Sequence, residues 1–223
     1  SGGLVGSEMC IRDRNMTETS NSQFEMLKKL ELSFEDFVKI KEECEINNIR
    51  FMASAFDLES LNFLLNLNCD YVKIPSGEIG NVPYLREFKN CTSKIILSTG
   101  MSTIQDIEFA LEMLNSVGVD IKNISLLHCT SNYPCDLEEI NMNSMVTIRK
   151  RFGLNVGYSD HSNDNAVSNT AVAMGASIIE KHFTLDNQLE GPDHKASLNV
   201  EDFKKFVKSI RKVEKILGSS TKK

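Results

Sequence analysis

Residues 94–117, KIILSTGMSTIQDIEFALEMLNSV, decide the fold class. The stretch opens with a short apolar run that is typical of a buried strand, and it continues with a helical period. Ser102 and Gln105 predict a capping box at the start of the helix. The apolar stripe of this helix consists of Ile104, Ile107, Leu111 and Leu114. A strand followed directly by an amphipathic helix is the unit from which parallel sheets are built.

The same unit recurs through most of the chain. Short apolar runs predict six strands, near residues 50–54, 70–74, 94–98, 124–128, 154–158 and 177–181. Helical patterns follow these runs, near residues 57–67, 81–89, 102–117, 138–151, 163–174 and 200–217. A further helix is expected to begin at Ser33 with Asp36 in its cap, and the last helix is expected to end at Gly218. This alternation predicts a parallel sheet with right-handed crossovers, either doubly wound or closed into a barrel.

Polar side chains that could carry chemistry occur where the predicted strands end. They are Ser54, Lys73, Ser76, Glu78, Ser98, His128, Ser159, His161 and His182. A barrel gathers the carboxyl ends of all its strands around one mouth, whereas an open sheet spreads them along a line. The pattern therefore favours an α/β fold of the (β/α)8 TIM-barrel type. Because a closed barrel of this type needs eight strands and six are predicted, we expect an incomplete barrel that lacks its first two strands.

The composition indicates a globular protein that does not bind nucleic acid. Its 223 residues carry 25 Lys and Arg against 31 Asp and Glu, a net charge of −6, so the composition offers no basic footprint of the kind that neutralises a nucleic-acid backbone. No apolar run is long enough to cross a membrane, and the first 30 residues lack a basic start followed by an apolar run. We therefore expect a cytoplasmic protein. The six cysteines include no C-x-x-C pair and are expected to be buried, reduced thiols.

The first residues differ from the rest of the chain. Residues 1–14, SGGLVGSEMCIRDR, show no sustained period and are expected to be an appended or disordered segment. Translated adapter sequence and a short natural terminus would both give such a stretch. The partial barrel domain is then expected to occupy residues 15–223.

Two histidines follow consecutive predicted strands. His161 lies in SDHS and His182 lies in KHFT. Imidazole is the commonest protein ligand for a divalent transition metal, and neighbouring strand ends could bring two rings to one ion. Two histidines would leave positions for water or substrate. The alternative is that each ring only hydrogen-bonds a neighbouring loop, and His128 and His194 are weaker metal candidates.

A second group of residues suits an anion. Lys73 lies within the apolar run YVKIPSGE, where an ammonium group needs an anionic partner. It could be a Schiff-base amine, an anion clamp, or half of a buried salt bridge with Glu78. Ser76, Ser98 and Ser159 add hydroxyl groups at three strand ends, which together suit a phosphate or a carboxylate. Each serine alone is more often a helix cap or a turn residue.

A polar loop, EGPDHKAS at residues 190–197, follows the last predicted strand. Its Asp193 could accept hydrogen bonds from the hydroxyls of a polyol, or it could simply be solvated. The chain contains no Walker loop, no GxGxxG, no GxSxG and no HExxH. These absences argue against the common nucleotide-binding, lipase and metalloprotease classes.

Taken together, these segments resemble the sialic acid synthase family, which makes neuraminate, legionaminate and pseudaminate. The resemblance rests on SQFEMLKKLELS (22–33), SAFD (54–57), KIPSGEIGNVPYL (73–85), IILSTGMST (95–103), LLHCTSNYPC (126–135), VGYSDHS (156–162), IEKHFTLD (179–186) and EGPDHKAS (190–197). The motifs cover nearly the whole chain from about residue 21, in the order that the family has.

The resemblance implies an enzyme that condenses phosphoenolpyruvate with an N-acetylated hexosamine such as N-acetylmannosamine. The products would be phosphate and a nine-carbon 2-keto sugar acid. It implies a divalent cofactor, Mn²⁺ or Mg²⁺, and a homodimer in the full-length family member. The residues that the resemblance implicates fall into groups by role. His161 and His182 would hold the metal, and together with Glu78 they would act in catalysis. The carboxylate of phosphoenolpyruvate would be bound by Lys73 and Ser76, and its phosphate would lie near Ser98, Ser131 and Ser159. The sugar would be contacted by Glu78, Tyr133 and Asp193.

The chain also departs from the family pattern. It lacks the family's first two strands, with their Glu-Ile-Gly, Asn-His-x-Gly and Val-Lys-Phe-Gln patterns, and it lacks the C-terminal antifreeze-like domain. Ser131 stands where some members have asparagine. We therefore expect little turnover from this chain alone. Two alternatives stay open: another aldol-type synthase that uses phosphoenolpyruvate, and a non-catalytic barrel fragment that binds a metal or a sugar.

Overall fold

Parallel strands and helices alternate in the computed structural model, which describes residues 31–89, 91–132, 134–189 and 193–222. The strands are β1 (Tyr71–Ile74), β2 (Lys94–Ser98), β3 (Ile124–Cys129), β4 (Asn155–Asp160) and β5 (Ile179–Lys181). The helices are α1 (Phe34–Ile46), α2 (Leu58–Asn66), α3 (Val82–Arg86), α4 (Ile104–Ser116), α5 (Asn143–Phe152), α6 (Asn165–Ala173) and α7 (Val200–Leu217). The expectation for residues 1–14 lies outside the described residues.

The described part of the chain divides into two compact units, one within residues 24–126 and the other within residues 127–223. In the first unit, β1, β2 and the start of β3 follow one another in the sheet, and β1 pairs in parallel with β2. In the second unit, the end of β3 is followed by β4 and β5, which also pair in parallel. Each strand leads into a helix before the next strand begins. The predicted α/β class with parallel strands is confirmed.

The prediction of a strand at residues 50–54 is wrong. This segment meets β1 at a single parallel bridge, between Ser54 and Lys73, and the one ladder contact there is long, 3.4 Å from Lys73 N to Ala53 O. Met52 is 37% exposed, so the apolar run is not buried as a central strand would be. Burial on both faces stabilises a strand of a parallel sheet, and this segment lacks it. The described residues therefore contain five strands rather than six.

The helix boundaries largely follow the predicted signals. Ser33 and Asp36 form the expected capping box of α1, and α7 ends at Gly218, whose φ is 59°. The predicted capping box of α4 is displaced by one residue. Thr103 caps this helix, and the Asp106 carboxylate accepts a hydrogen bond from Thr103 N at 2.8 Å. A carboxylate makes a stronger, charge-assisted bond to that amide than the neutral Gln105 would, which accounts for the shift.

Each unit has an apolar core beside its strands. In residues 24–126, Tyr84 and Phe88 are fully buried with Leu61, and the Tyr84 hydroxyl donates to Ala55 O at 3.0 Å. In residues 127–223, Tyr158 is fully buried, and its ring contacts that of His128 at 5.6 Å between centroids. No helix of the described residues is long and apolar enough to cross a membrane.

The described cysteines are free thiols, as expected, but the expectation that they are buried is wrong for Cys44 and Cys91, which are half-buried. Five cysteines lie in the described part of the chain, and no disulfide joins any of them. Cys69, Cys129 and Cys135 are buried. Burial raises the pKa of the Cys69 and Cys135 thiols, which keeps both in the protonated form near neutral pH.

Gly157 allows β4 to lie close to the chain that enters β5. A Cβ at this position would lie 2.4 Å from Ile178 O and 2.8 Å from Ile178 Cβ, and it would also contact the side chain of Leu127. We expect Gly157→Ala to lower the free energy of unfolding by about 1–3 kcal/mol, because the strand backbone must shift to admit the methyl group. Urea unfolding measures this change. Gly80→Ala is the matched control, because no atom lies within 4 Å of its Cβ position. Equal losses of stability in both variants would contradict the close approach at Gly157 as the cause.

His128 is expected to make stability depend on pH. Its Nε2 donates to Ile140 O at 2.8 Å, and burial lowers the pKa of its imidazole below the usual value of 6.5. The unfolded chain therefore binds the proton more readily, so the stability contributed by neutral His128 is complete above pH 6.5 and is lost as the pH falls below it. His128→Gln keeps a donor for Ile140 O. Urea unfolding between pH 7.5 and 5.5 should show a smaller loss in this variant than in the wild type, and parallel curves would refute the expectation.

Candidate functional site

The two histidines predicted from the strand ends come together in the unit of residues 127–223. His161 directly follows β4, and His182 directly follows β5. In the parallel register of these strands, Asp160 is opposite Lys181, so the two histidines leave the sheet at the same level. Their ring centroids are 5.6 Å apart, and the rings are inclined at 71°. This separation is compatible with two imidazoles that share one small ligand or ion.

The tautomer of His161 is fixed by a backbone carbonyl. Its Nδ1 lies 2.7 Å from Thr130 O, which can only accept, so Nδ1 carries the hydrogen and Nε2 carries the lone pair. Burial is the main cause that lowers the pKa of His161, to about 4, and the neighbouring His182 acts in the same direction. The hydrogen bond to Thr130 opposes this shift only in part. His161 is therefore neutral at physiological pH, in the form that binds metals.

A carboxylate that the sequence analysis did not include also lies in this group. Ser159 Oγ donates to Glu180 Oε1 at 2.7 Å. Ser159 Oγ also lies 3.3 Å from His161 Nε2. Glu180 precedes His182 by two positions, and residues two apart in a strand share a face of the sheet. That spacing in IEKHFTLD is the signal that could have identified Glu180 from the sequence.

Asp193 reaches the same group from the loop after β5. Its Oδ2 lies 3.8 Å from His182 Nδ1. The turn that follows is held by Asn187, whose side-chain amide donates to His194 O at 2.7 Å and to Ser197 O at 2.8 Å. The His194 side chain makes a hydrogen bond within this loop, since its Nδ1 lies 2.7 Å from Thr184 Oγ1. His194 thus anchors the loop that presents Asp193.

The candidate anion residues at the end of β1 lie in the other unit, residues 24–126. Lys73 is the third residue of β1, and Ser76 and Glu78 lie in the short 3-10 turn that follows it. Ser76 Oγ accepts a hydrogen bond from Gly100 N at 2.9 Å, which ties this turn to the loop after β2. Glu78 Oε2 accepts from the Asn81 side-chain amide at 2.5 Å.

Ser98, the last residue of β2, is buried without satisfying its hydroxyl. The residue is 3% exposed, and its Oγ has no hydrogen-bond partner among the described residues. A buried hydroxyl without a partner costs free energy. The Ser98 hydroxyl is therefore suited to accept a hydrogen bond from a ligand or to donate one to an oxygen of the ligand. Ser131 lies half-buried just beyond β3, and Tyr133 lies outside the described residues.

The described residues contain no group of three or more His, Cys, Asp or Glu side chains arranged to hold a metal ion. Within the unit of residues 127–223, His161 and His182 lie side by side, with ring centroids 5.6 Å apart. Imidazole is a common ligand for divalent transition metals, and carboxylates such as the nearby Glu180 and Asp193 suit Mn²⁺ and Mg²⁺.

Comparison with known proteins identifies the relatives of this chain. It is 44% identical over 207 residues to the N,N'-diacetyllegionaminic acid synthase of Campylobacter jejuni, covering 93% of this chain and 62% of that protein. It is 46% identical over 215 residues to the synthase of the same name from Legionella pneumophila, covering 94% and 60%. The chain thus spans about 60% of the length of these two relatives.

A solved structure confirms the fold class. The N-acetylneuraminic acid synthetase of Leptospira borgpetersenii, crystallised with citrate, superposes with a TM-score of 0.84 at 30% identity, covering 95% of this chain and 73% of that one. The resemblance predicted from the motifs is confirmed as well. Because the match to the NeuB family extends over residues 7–222, the chain belongs to the NeuB family.

Proposed function

We propose that this chain forms the catalytic core of a synthase that joins phosphoenolpyruvate to an N-acetylated hexosamine. A bond forms between C3 of phosphoenolpyruvate and the aldehyde carbon of the sugar. Water adds at C2 of the former enol, and phosphate leaves from that carbon. The product is a nine-carbon 2-keto sugar acid. The relatives named as diacetyllegionaminic acid synthases support an acceptor with acetamido groups.

The observation that carries the proposal is the imidazole pair. His161 is neutral with its Nδ1 hydrogen directed to Thr130 O, and the ring of His182 is 5.6 Å away. These two residues would hold Mn²⁺ or Mg²⁺. When bound, such an ion supplies Lewis-acid polarisation of the sugar aldehyde. Ser159 and Glu180 lie against His161 and would orient what binds beside it.

The anion residues are proposed to bind phosphoenolpyruvate. Lys73 and Ser76 would bind its carboxylate, and the Ser76 hydroxyl is already fixed by Gly100 N. Ser98 and Ser159 would bind the phosphate, together with Ser131. The buried Ser98 hydroxyl, which lacks a partner among the described residues, supports this role.

Three residues are proposed to contact the sugar. They are Glu78, Tyr133 and Asp193. Asp193 is the one whose surroundings support this role most directly, because its carboxylate lies beside His182 and its loop is fixed by hydrogen bonds. Carboxylates accept hydrogen bonds from two sugar hydroxyls at once, which gives both orientation and selectivity.

Removal of one imidazole tests the metal site. We expect Mn²⁺ to bind the 223-residue chain and His182→Ala to weaken binding by at least about 100-fold, because loss of a ligand exceeds the effect of losing its supporting group. Electron paramagnetic resonance of free Mn²⁺ measures the dissociation constant. His128→Gln is the control, since His128 is bonded to Ile140 O, and it should leave the constant unchanged. Equal constants in wild type and His182→Ala would refute the metal site.

The Ser98 hydroxyl tests the site for phosphoenolpyruvate. We expect Ser98→Ala to weaken binding of phosphoenolpyruvate by about tenfold, which is the usual effect of losing a hydrogen bond to a charged group. Isothermal titration measures it, with Ser116→Ala on the exposed side of α4 as the control. Unchanged affinity would remove Ser98 from the proposal.

The same chain also separates the alternatives. An increase in the free energy of unfolding of the chain with N-acetylmannosamine or a diacetamido trideoxy hexose supports the proposed acceptor. An increase with a pentose phosphate alone favours another aldol-type synthase. Metal binding without any effect of phosphoenolpyruvate favours a non-catalytic fragment.

A further inference from the structure

A buried ion pair joins the two strands that carry the histidines. Lys181 Nζ lies 3.2 Å from Asp160 Oδ1, and the two side chains are 4% and 0% exposed. Asp160 and Lys181 are partners in the register of β4 and β5, and each directly precedes one histidine. Successive side chains of a strand point to opposite faces, so this pair lies on the face opposite to Ser159 and Glu180.

The ion pair also holds the backbone on the other side of His161. Asp160 Oδ1 accepts from Ser162 N at 2.8 Å and from Ser162 Oγ at 2.7 Å. Lys181 Nζ donates to Ser162 O. Asp160 and Ser162, on either side of His161, are therefore both bonded to Lys181, which precedes His182. Ser168 Oγ, on α6, donates to the second oxygen of Asp160 and anchors the group to a helix.

This arrangement constrains geometry more than it adds stability. Removing two charges from water is costly, so a buried ion pair is often no more stabilising than apolar side chains of the same volume. Its bonds, however, are directional and fixed in number. An apolar pair would fill the same space but would release Ser162, and with it the backbone of His161.

We propose that Asp160 and Lys181 are positioning residues that set the separation and orientation of the His161 and His182 imidazoles. The inference rests on the proposed function, since it concerns the ligands of the proposed metal. Neither residue is proposed as a ligand, because the side chains of both are engaged with each other and with Ser162. Their effect on metal affinity is exerted through the backbone of the histidines that follow them.

The double variant Asp160→Asn/Lys181→Met tests this role. It removes both charges together, so no unpaired charge stays buried, and the chain is expected to unfold at the same urea concentration as the wild type or at a higher one. We expect its dissociation constant for Mn²⁺ to rise about tenfold, as is usual when the support of a metal ligand is removed. In the metal-free chain, the ¹⁵N signal of His161 Nδ1–H is expected to shift as its bond to Thr130 O loosens. A purely structural role would change neither readout in a chain that is fully folded.

Two further variants complete the design. Arg149→Met removes hydrogen bonds of 2.8 and 2.9 Å to Met174 O and Gly175 O at the end of α6, and it is expected to leave Mn²⁺ affinity and the His161 signal unchanged. Lys181→Arg keeps the charge and the donors, and it is expected to retain most of the affinity. If the double variant does not fold, Ser168→Ala takes its place, because it removes one hydrogen bond to Asp160 and leaves both charges paired; the dissociation constant for Mn²⁺ is expected to rise in the same direction.

The outcomes separate the inference from the proposed function. If His161→Ala and His182→Ala leave Mn²⁺ affinity unchanged, the proposed metal site is refuted and this inference with it. If those variants lose affinity while Asp160→Asn/Lys181→Met keeps both its affinity and its His161 signal, the inference alone is overturned.

Discussion

The parallel register between β4 and β5 is the constraint on which the candidate site depends. Because Ser159 is opposite Glu180 and Asp160 is opposite Lys181, every residue of one strand end has a defined neighbour on the other. The alternation of side chains then assigns each pair to one face. One face carries the serine–glutamate bond, and the other carries the buried ion pair. A slip of one residue would exchange the two chemistries and place a lysine where a carboxylate now lies.

Burial gives this site its electrostatic character. His161 is kept neutral by desolvation, and the direction of its Nδ1 hydrogen is set by Thr130. A solvated histidine would change its charge near physiological pH and would rotate between hydrogen-bond partners. The protein environment therefore selects one protonation state and one tautomer, with Thr130 after β3 fixing the tautomer and His182 after β5 adding to the effect of burial on the pKa.

Much of this could be predicted from the sequence, and the failures have physical causes. The periods of the strands and helices are local properties, so the α/β class and most element positions follow from them. The segment at 50–54 has the composition of a strand, but strand formation depends on neighbours and burial, which composition does not contain. His161 and His182 stand out by residue type. Glu180 could have been found from its two-residue spacing to His182. Lys181 could not, because a charged residue that faces the other side of a strand acquires meaning only when the partner strand and its register are known. The unsatisfied hydroxyl of Ser98 is a property of its surroundings and has no sequence signal.

The hydrogen bonds of Asn187 and His194 have a consequence for the kinetics of ligand binding. They join the turn after Asp193 to other residues of the same loop. The conformational entropy of that turn is therefore lost during folding and not during association. A ligand that bonded to the Asp193 carboxylate would therefore have less chain to order as it binds, and the differences in affinity among such ligands would arise mainly from their rates of dissociation.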